Sequence, residues 1–211
     1  MLTSAAPNVW SCRTTSVVRE AQPVNHLLQT AFDIQQLLDS CGWRHCVIGG
    51  LAVIRWGEPR LTTDVDLTVL VTPANEDGLI EMLLNPPYRG RVPDAAQFAR
   101  RNRVLLLQAN DDEPIDVALG ILPYEAEMIA RSSTFEYAPG CTLRTCSAED
   151  LVVQKLFAFR ERDRWDAKSV VLRQRDRLDW DAIEADLSPL AELKEQPEIM
   201  EFLADLRKSN D

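Results

Sequence analysis

Two aspartates one residue apart, Asp64-Val65-Asp66, open the apolar run Val65 to Val71, and no other segment constrains the chain as tightly. A run of β-branched and aliphatic residues of this length reads as a strand. In a strand, residues two apart share a face, so the two carboxylates point the same way, with Cα atoms ~6.6–6.8 Å apart. Like charges on a half-buried face repel and call for a cation. A pair of divalent ions ~4 Å apart lies within reach of both groups, and Mg²⁺ favours carboxylates together with substrate phosphates. Spacing alone does not decide the matter. Asp179-Trp180-Asp181 repeats the pattern where a helix is expected to begin, and there capping and the helix dipole account for both aspartates.

The surroundings of Asp64 are more specific. A strand over Trp43 to Ile48 runs into Gly49-Gly50, and a brief helix, Leu51 to Trp56, follows and closes at Gly57 and Pro59. A strand entering a helix through glycines presents backbone N–H groups to an anion, and a residue without Cβ lets a phosphate approach closely. The same two glycines would equally serve a tight turn. Downstream, the apolar run Ile115 to Leu119 carries Asp116 in its interior. A buried aspartate needs a metal, a cation or several N–H donors. Asp116 is therefore either a third carboxylate of the same cleft or a structural partner for Arg101 or Arg103. Asp111 and Asp112 compete with it, but their place at a hairpin tip suits solvation. Lys155 lies four residues from both Leu151 and Phe159, so it shares a face with apolar residues. It either snorkels to the edge or points into a cleft.

The remaining pattern sets the organisation. Residues 25–40 carry an apolar stripe at helical spacing that ends before Gly42. Leu79, Ile80, Met82 and Leu83 predict a helix ahead of Pro86-Pro87. Val104 to Ala109 and Ile115 to Leu119 form a hairpin, with minor strands at 135–137 and 142–143. Ser147 followed by Asp150 resembles a capping box, and helices are expected over 148–160, 164–177, 180–187 and 197–208. The chain thus divides into a loose leader (1–24), an α/β part (25–145) and a helical C-terminal region (146–211). The fold class is α/β (α+β), a mixed sheet flanked by helices.

Composition narrows the function classes. No apolar run approaches the ~20 residues of a membrane span, and the first 24 residues lack the apolar centre of a secretory signal, so a cytoplasmic protein is expected. The five cysteines, Cys12, Cys41, Cys46, Cys141 and Cys146, contain no C-x-x-C and read as reduced thiols rather than a zinc site. A net charge of −10 argues against broad duplex binding. The basic residues between Arg160 and Arg177 are interleaved with Glu161, Asp163, Asp166 and Asp176, which suits a solvated helix face.

The run from Gly49-Gly50 through Arg60, Thr62, Asp64 and Asp66 resembles the signature of the DNA polymerase β-like nucleotidyltransferase superfamily. Its R-x-T-x-D-x-D arrangement is similar to that of bacterial abortive-infection and toxin–antitoxin nucleotidyltransferase-like proteins. Glu149-Asp150-Leu151, Lys155, Arg160, Asp163 and Asp166 resemble a second segment of those proteins. The likeness covers about residues 25–175. One departure stands out: the second glycine, Gly50, is often serine in the wider superfamily.

The resemblance implies an enzyme that moves a nucleoside monophosphate from a nucleoside triphosphate to an acceptor hydroxyl on an RNA end, a protein or a small molecule. Asp64, Asp66 and Asp116 would be catalytic and hold Mg²⁺ or Mn²⁺. Gly49, Gly50, Arg60, Thr62 and Lys155 would bind the nucleotide, and a cognate toxin or antitoxin would be the partner. The rival expectation is a non-catalytic binding protein of the same fold, an antitoxin or nucleotide sensor.

Overall fold

The computed structural model describes residues 26–110 and 112–209. The leader read over 1–24, Cys12 and Asp111 lie outside them. Nine helices and seven strands are assigned among the described residues: α1 (His26–Ser40), β1 (His45–Val47), α2 (Gly49–Trp56), β2 (Val65–Leu70), α3 (Glu76–Leu83), β3 (Arg89–Gly90), α4 (Ala95–Asn102), β4 (Val104–Gln108), β5 (Pro114–Gly120), α5 (Pro123–Arg131), β6 (Ser133–Ala138), β7 (Cys141–Thr145), α6 (Ala148–Ala158), α7 (Glu161–Gln174), α8 (Trp180–Lys194) and α9 (Glu198–Lys208).

The strands form one mixed sheet in the order β3-β4-β5-β2-β1-β7-β6. β2 and β5 are parallel, and β1–β2, β3–β4, β4–β5 and β6–β7 are antiparallel. Alternation sorts the two faces. Val65, Leu67 and Val69 of β2, with Ile115, Val117 and Leu119 of β5, pack into a core with Ile34 and Leu38 of α1 and Leu79, Ile80 and Leu83 of α3. Asp66, Thr68, Asp116 and Ala118 alternate with them and face the other side. There a second core gathers Met128 and Ile129 of α5 with Leu151, Leu156, Val170, Ile183 and Leu203 of α6 to α9. It also includes Ala52 and Val53 of α2, so the C-terminal helices are built onto the sheet.

Several boundaries differ from the sequence reading. α2 starts on Gly49 itself, two residues early. The sequence pattern does not announce α4 or α5. α4 buries only Ala95 and Ala99, too thin a stripe to stand out, whereas α5 carries a proline at its start, a signal that periodicity overlooks. α8 continues through Pro189 to Lys194 because Leu187, Leu190 and Ala191 are buried on one stripe. Their packing outweighs the hydrogen bond that proline removes. Asp179 caps α8, its carboxylate accepting the Ala182 N–H at 3.0 Å, so the second D-x-D is a cap. Ser147 likewise caps α6 by accepting the Asp150 N–H. Cys46, Cys141 and Cys146 are buried free thiols and Cys41 is exposed.

A carboxylate and lysine cleft as candidate active site

The parallel register sets Asp66 directly opposite Asp116, so their side chains rise from neighbouring strands ~4.8 Å apart on one face. α5 packs against the far halves of these strands: a Cβ on Gly120 would meet Thr68 and Glu125. The halves that carry Asp66 and Asp116 stay half-buried at the cleft. Asp64, just ahead of β2, accepts a hydrogen bond from Thr62 Oγ1 at 3.1 Å. Burial, followed by the charges of Asp64 and Asp116, pushes the Asp66 carboxyl up to about 6, against the pull of Lys155 and an N–H from Gly50. Asp116 is raised by burial and by Asp64, with Arg91 opposing.

Asp66 and Asp116, held back from ionisation partly by the charge of Asp64, are hard oxygen donors of the kind that a divalent cation such as Mg²⁺ favours. Among the described residues, no three His, Cys, Asp or Glu side chains are placed so that together they could hold a metal ion. Each carboxylate has a present partner: Gly50 for Asp66, Thr62 for Asp64, and Arg91 for Asp116, at 2.5 Å between Nη2 and Oδ1. The arginine that pairs with Asp116 is therefore Arg91, not Arg101 or Arg103. Arg103 serves Glu76 and the Leu119 carbonyl instead.

The glycine pair does more than turn the chain. Gly49 has φ +60°, and a Cβ there would fall 1.9 Å from Asp66 Oδ2. A Cβ on Gly50 would fall 2.1 Å from Thr62 Oγ1. The Thr62 hydroxyl fills the space that a serine side chain at position 50 would need. No side chain caps α2, which leaves its first-turn N–H groups the character of an anion site beside Asp66.

The helices supply the opposite bank. Lys155 of α6 is buried and points into the cleft, and it does not snorkel. Its Nζ lies 3.2 Å from Asp163 Oδ1 and 3.0 Å from Asp166 Oδ2. Arg60 grips Asp166 with two bonds of 2.7 Å, and Arg160 donates to Asp163 at 2.5 Å. Burial alone would raise both aspartates, but these cations outweigh it and hold Asp163 and Asp166 below the usual carboxylate range.

Here the sequence reading needs correcting, since Asp163 and Asp166 are buried anchors rather than part of a solvated face. Their i, i+3 spacing beside Ala167 and Val170 is the signal that charge interleaving hides. Arg60, expected on the phosphates, is committed to Asp166. A residue in the left-handed region, Phe159 at φ +58°, makes the α6–α7 corner that brings Asp163 back over Lys155. Between the banks lies a cavity of about 270 Å³ lined by Gly49, Asp66, Lys155, Tyr124, Gln154 and Phe157.

A mixed sheet carrying facing carboxylates, a glycine-led helix and a lysine on an appended helix defines a nucleotidyltransferase. The chain belongs to the family described as "Nucleotidyl transferase AbiEii toxin, Type IV TA system", whose model matches residues 46–179. The fold is also that of the antibiotic-resistance factor ANT(2'')-Ia. Its crystal structure in complex with adenylyl-2''-tobramycin is 17% identical, aligned over 79% of this chain and 98% of that one at a TM-score of 0.51. Its solution structure is 15% identical over 80% and 92%, also at 0.51. An antigenic nucleotidyltransferase-like protein from Paracoccidioides brasiliensis is 17% identical over 84% and 92%, with a TM-score of 0.47. No curated protein matches the chain by sequence. No helix among the described residues is long and apolar enough to cross a membrane.

Proposed function

We propose that this enzyme transfers a nucleoside monophosphate from a nucleoside triphosphate to an acceptor hydroxyl, with Mg²⁺ or Mn²⁺ held by Asp64, Asp66 and Asp116. The observation that carries the reading is Asp66, which shares one cavity with Lys155 and stands directly beside Asp116 on the adjacent strand. When bound, the metal supplies neutralising charge to the phosphates and favours the ionised form of the acceptor hydroxyl.

The chain's own groups do the rest. The start of α2 at Gly49 and Gly50 receives the terminal phosphates, and Lys155 offsets their charge. Thr62 orients Asp64 and fills the space beside Gly50. Arg60 acts one step removed, by holding Asp166 against Lys155. The acceptor oxygen bonds to the α-phosphorus as the bond to the β-phosphate bridging oxygen breaks. Pyrophosphate leaves with that electron pair, and Asp116 helps to take the acceptor proton. Residues 25–145 supply the carboxylates and the glycine turn, and residues 146–211 supply the lysine.

The acceptor is an RNA end, a protein or a small molecule. ANT(2'')-Ia is seen in complex with adenylyl-2''-tobramycin, which favours a small molecule, whereas membership of a toxin family motivates a cellular macromolecule and a cognate antitoxin partner. We place the protein in the cytoplasm, where nucleoside triphosphates and reducing conditions suit its free thiols. The test is incubation of the purified chain with Mg²⁺, each α-labelled triphosphate and separate RNA, protein and metabolite fractions. Label should appear in one fraction and vanish in Asp66→Asn. Nucleotide binding without transfer from any triphosphate to any fraction would refute catalysis and leave a nucleotide sensor.

A further inference from the structure

Arg91 lies in none of the motifs that mark the site, yet it stands in the same row. Its N–H donates to the Leu106 carbonyl at 2.9 Å. Leu106 is the cross-strand partner of Asp116, and Asp116 that of Asp66. Arg91, Leu106, Asp116 and Asp66 therefore occupy one level across the sheet, and Arg91 stands about two strand spacings from Asp116. Its side chain crosses over Leu106 on the carboxylate face, and its guanidinium meets Asp116 Oδ1. Both side chains remain 31% exposed, so the pair is of the weak, displaceable kind. Arg89, two residues earlier, makes a similar contact with Asp112 at the hairpin tip, away from the cleft.

We infer that Arg91 is a latch on Asp116: it occupies the third carboxylate, and a divalent cation must displace it. The inference rests on the three-carboxylate reading above. It gives the site an order of assembly. Asp64 and Asp66, bonded to no arginine among the described residues, accept the first cation with the triphosphate. Asp116 is committed only afterwards, so the group that helps to take the acceptor proton is withheld until the donor is in place.

Manganese titration of the full chain, followed by paramagnetic resonance without nucleotide, tests this. Wild type should show one tighter and one weaker binding event. Arg91→Met, which keeps the stem over Leu106 and removes the charge, should tighten the weaker event about fivefold and leave the tighter one unchanged. Arg91→Lys should fall between the two and guards against a folding defect in the methionine variant. Arg89→Met removes the same charge from the same strand and should change neither event. In an Asp116→Asn background, Arg91→Met should add nothing.

Equal gains from Arg89→Met, a gain that persists in the Asp116→Asn background, or no gain from Arg91→Met would each overturn the latch. So would two wild-type events of equal affinity. Asp64→Asn separates the two ideas. If it keeps both binding events, the carboxylate site itself fails. If it loses the tighter event while Arg91→Met has no effect, only the latch fails.

Discussion

On the strand side of the cleft, Asp64, Asp66 and Asp116 crowd together and two of them resist ionisation. On the helix side, Asp163 and Asp166 are more deeply buried, yet both ionise more readily than usual. The contrast lies in pairing. Each helix-side aspartate shares Lys155 and owns an arginine, Arg160 or Arg60. The strand-side group has Arg91 against three negative charges. One bank is satisfied by its own ion pairs; the other is held in an unfavourable state that a bound cation would relieve. Strain of that kind marks a site shaped for binding at some expense of stability.

The sharpest way to break this comparison is to neutralise the strand bank. Asp66→Asn should abolish transfer by on the order of 10³-fold, because charge stabilisation of the phosphates is lost, while circular dichroism stays native. Loss of fold instead would make Asp66 a structural residue. The helix bank should behave differently. Lys155→Ala leaves two buried carboxylates each short of a partner, so it should cost about 1–3 kcal/mol in denaturant unfolding and also weaken triphosphate binding. Normal stability with weakened binding would mean that Asp163 and Asp166 do not depend on Lys155.

The glycine turn gives a packing test. Gly50→Ala drives a methyl group into Thr62 and should cost about 1–3 kcal/mol. Thr62→Gly in the same chain should recover most of that loss, and a double variant as unstable as the single one would deny the contact. The last expected effect, confined to one pH window, concerns Asp66 itself. Because the folded Asp66 titrates at about 6 rather than 3.8, the native protein retains a proton that the unfolded chain has lost between these values. Its contribution to stability therefore falls as pH rises through that window. Metal-free Asp66→Asn should match wild type near pH 4 and gain about 1–3 kcal/mol by pH 7.5. A gain that is independent of pH would remove charge repulsion as the cause.

Much of the strand bank could be read without a structure. Two-residue periodicity makes Asp64 and Asp66 share a face, apolar neighbours force Asp116 away from the core, and two glycines announce the start of a helix. All three are local rules, set by backbone geometry over a few residues. That Asp66 and Asp116 stand opposite each other is a matter of register between strands 50 residues apart in sequence, which no local pattern encodes. The helix bank depended still more on tertiary structure. Only folding carries Arg60 to Asp166, 106 residues away, and turns α7 so that its aspartates meet Lys155. Arg91 was silent in the sequence because a charged residue beside a two-residue edge strand looks like any other surface cation. The chain by itself determined which carboxylates leave the apolar core; long-range packing decided which of their charges were paired, because ion pairing depends on distances that only the assembled sheet and helices fix.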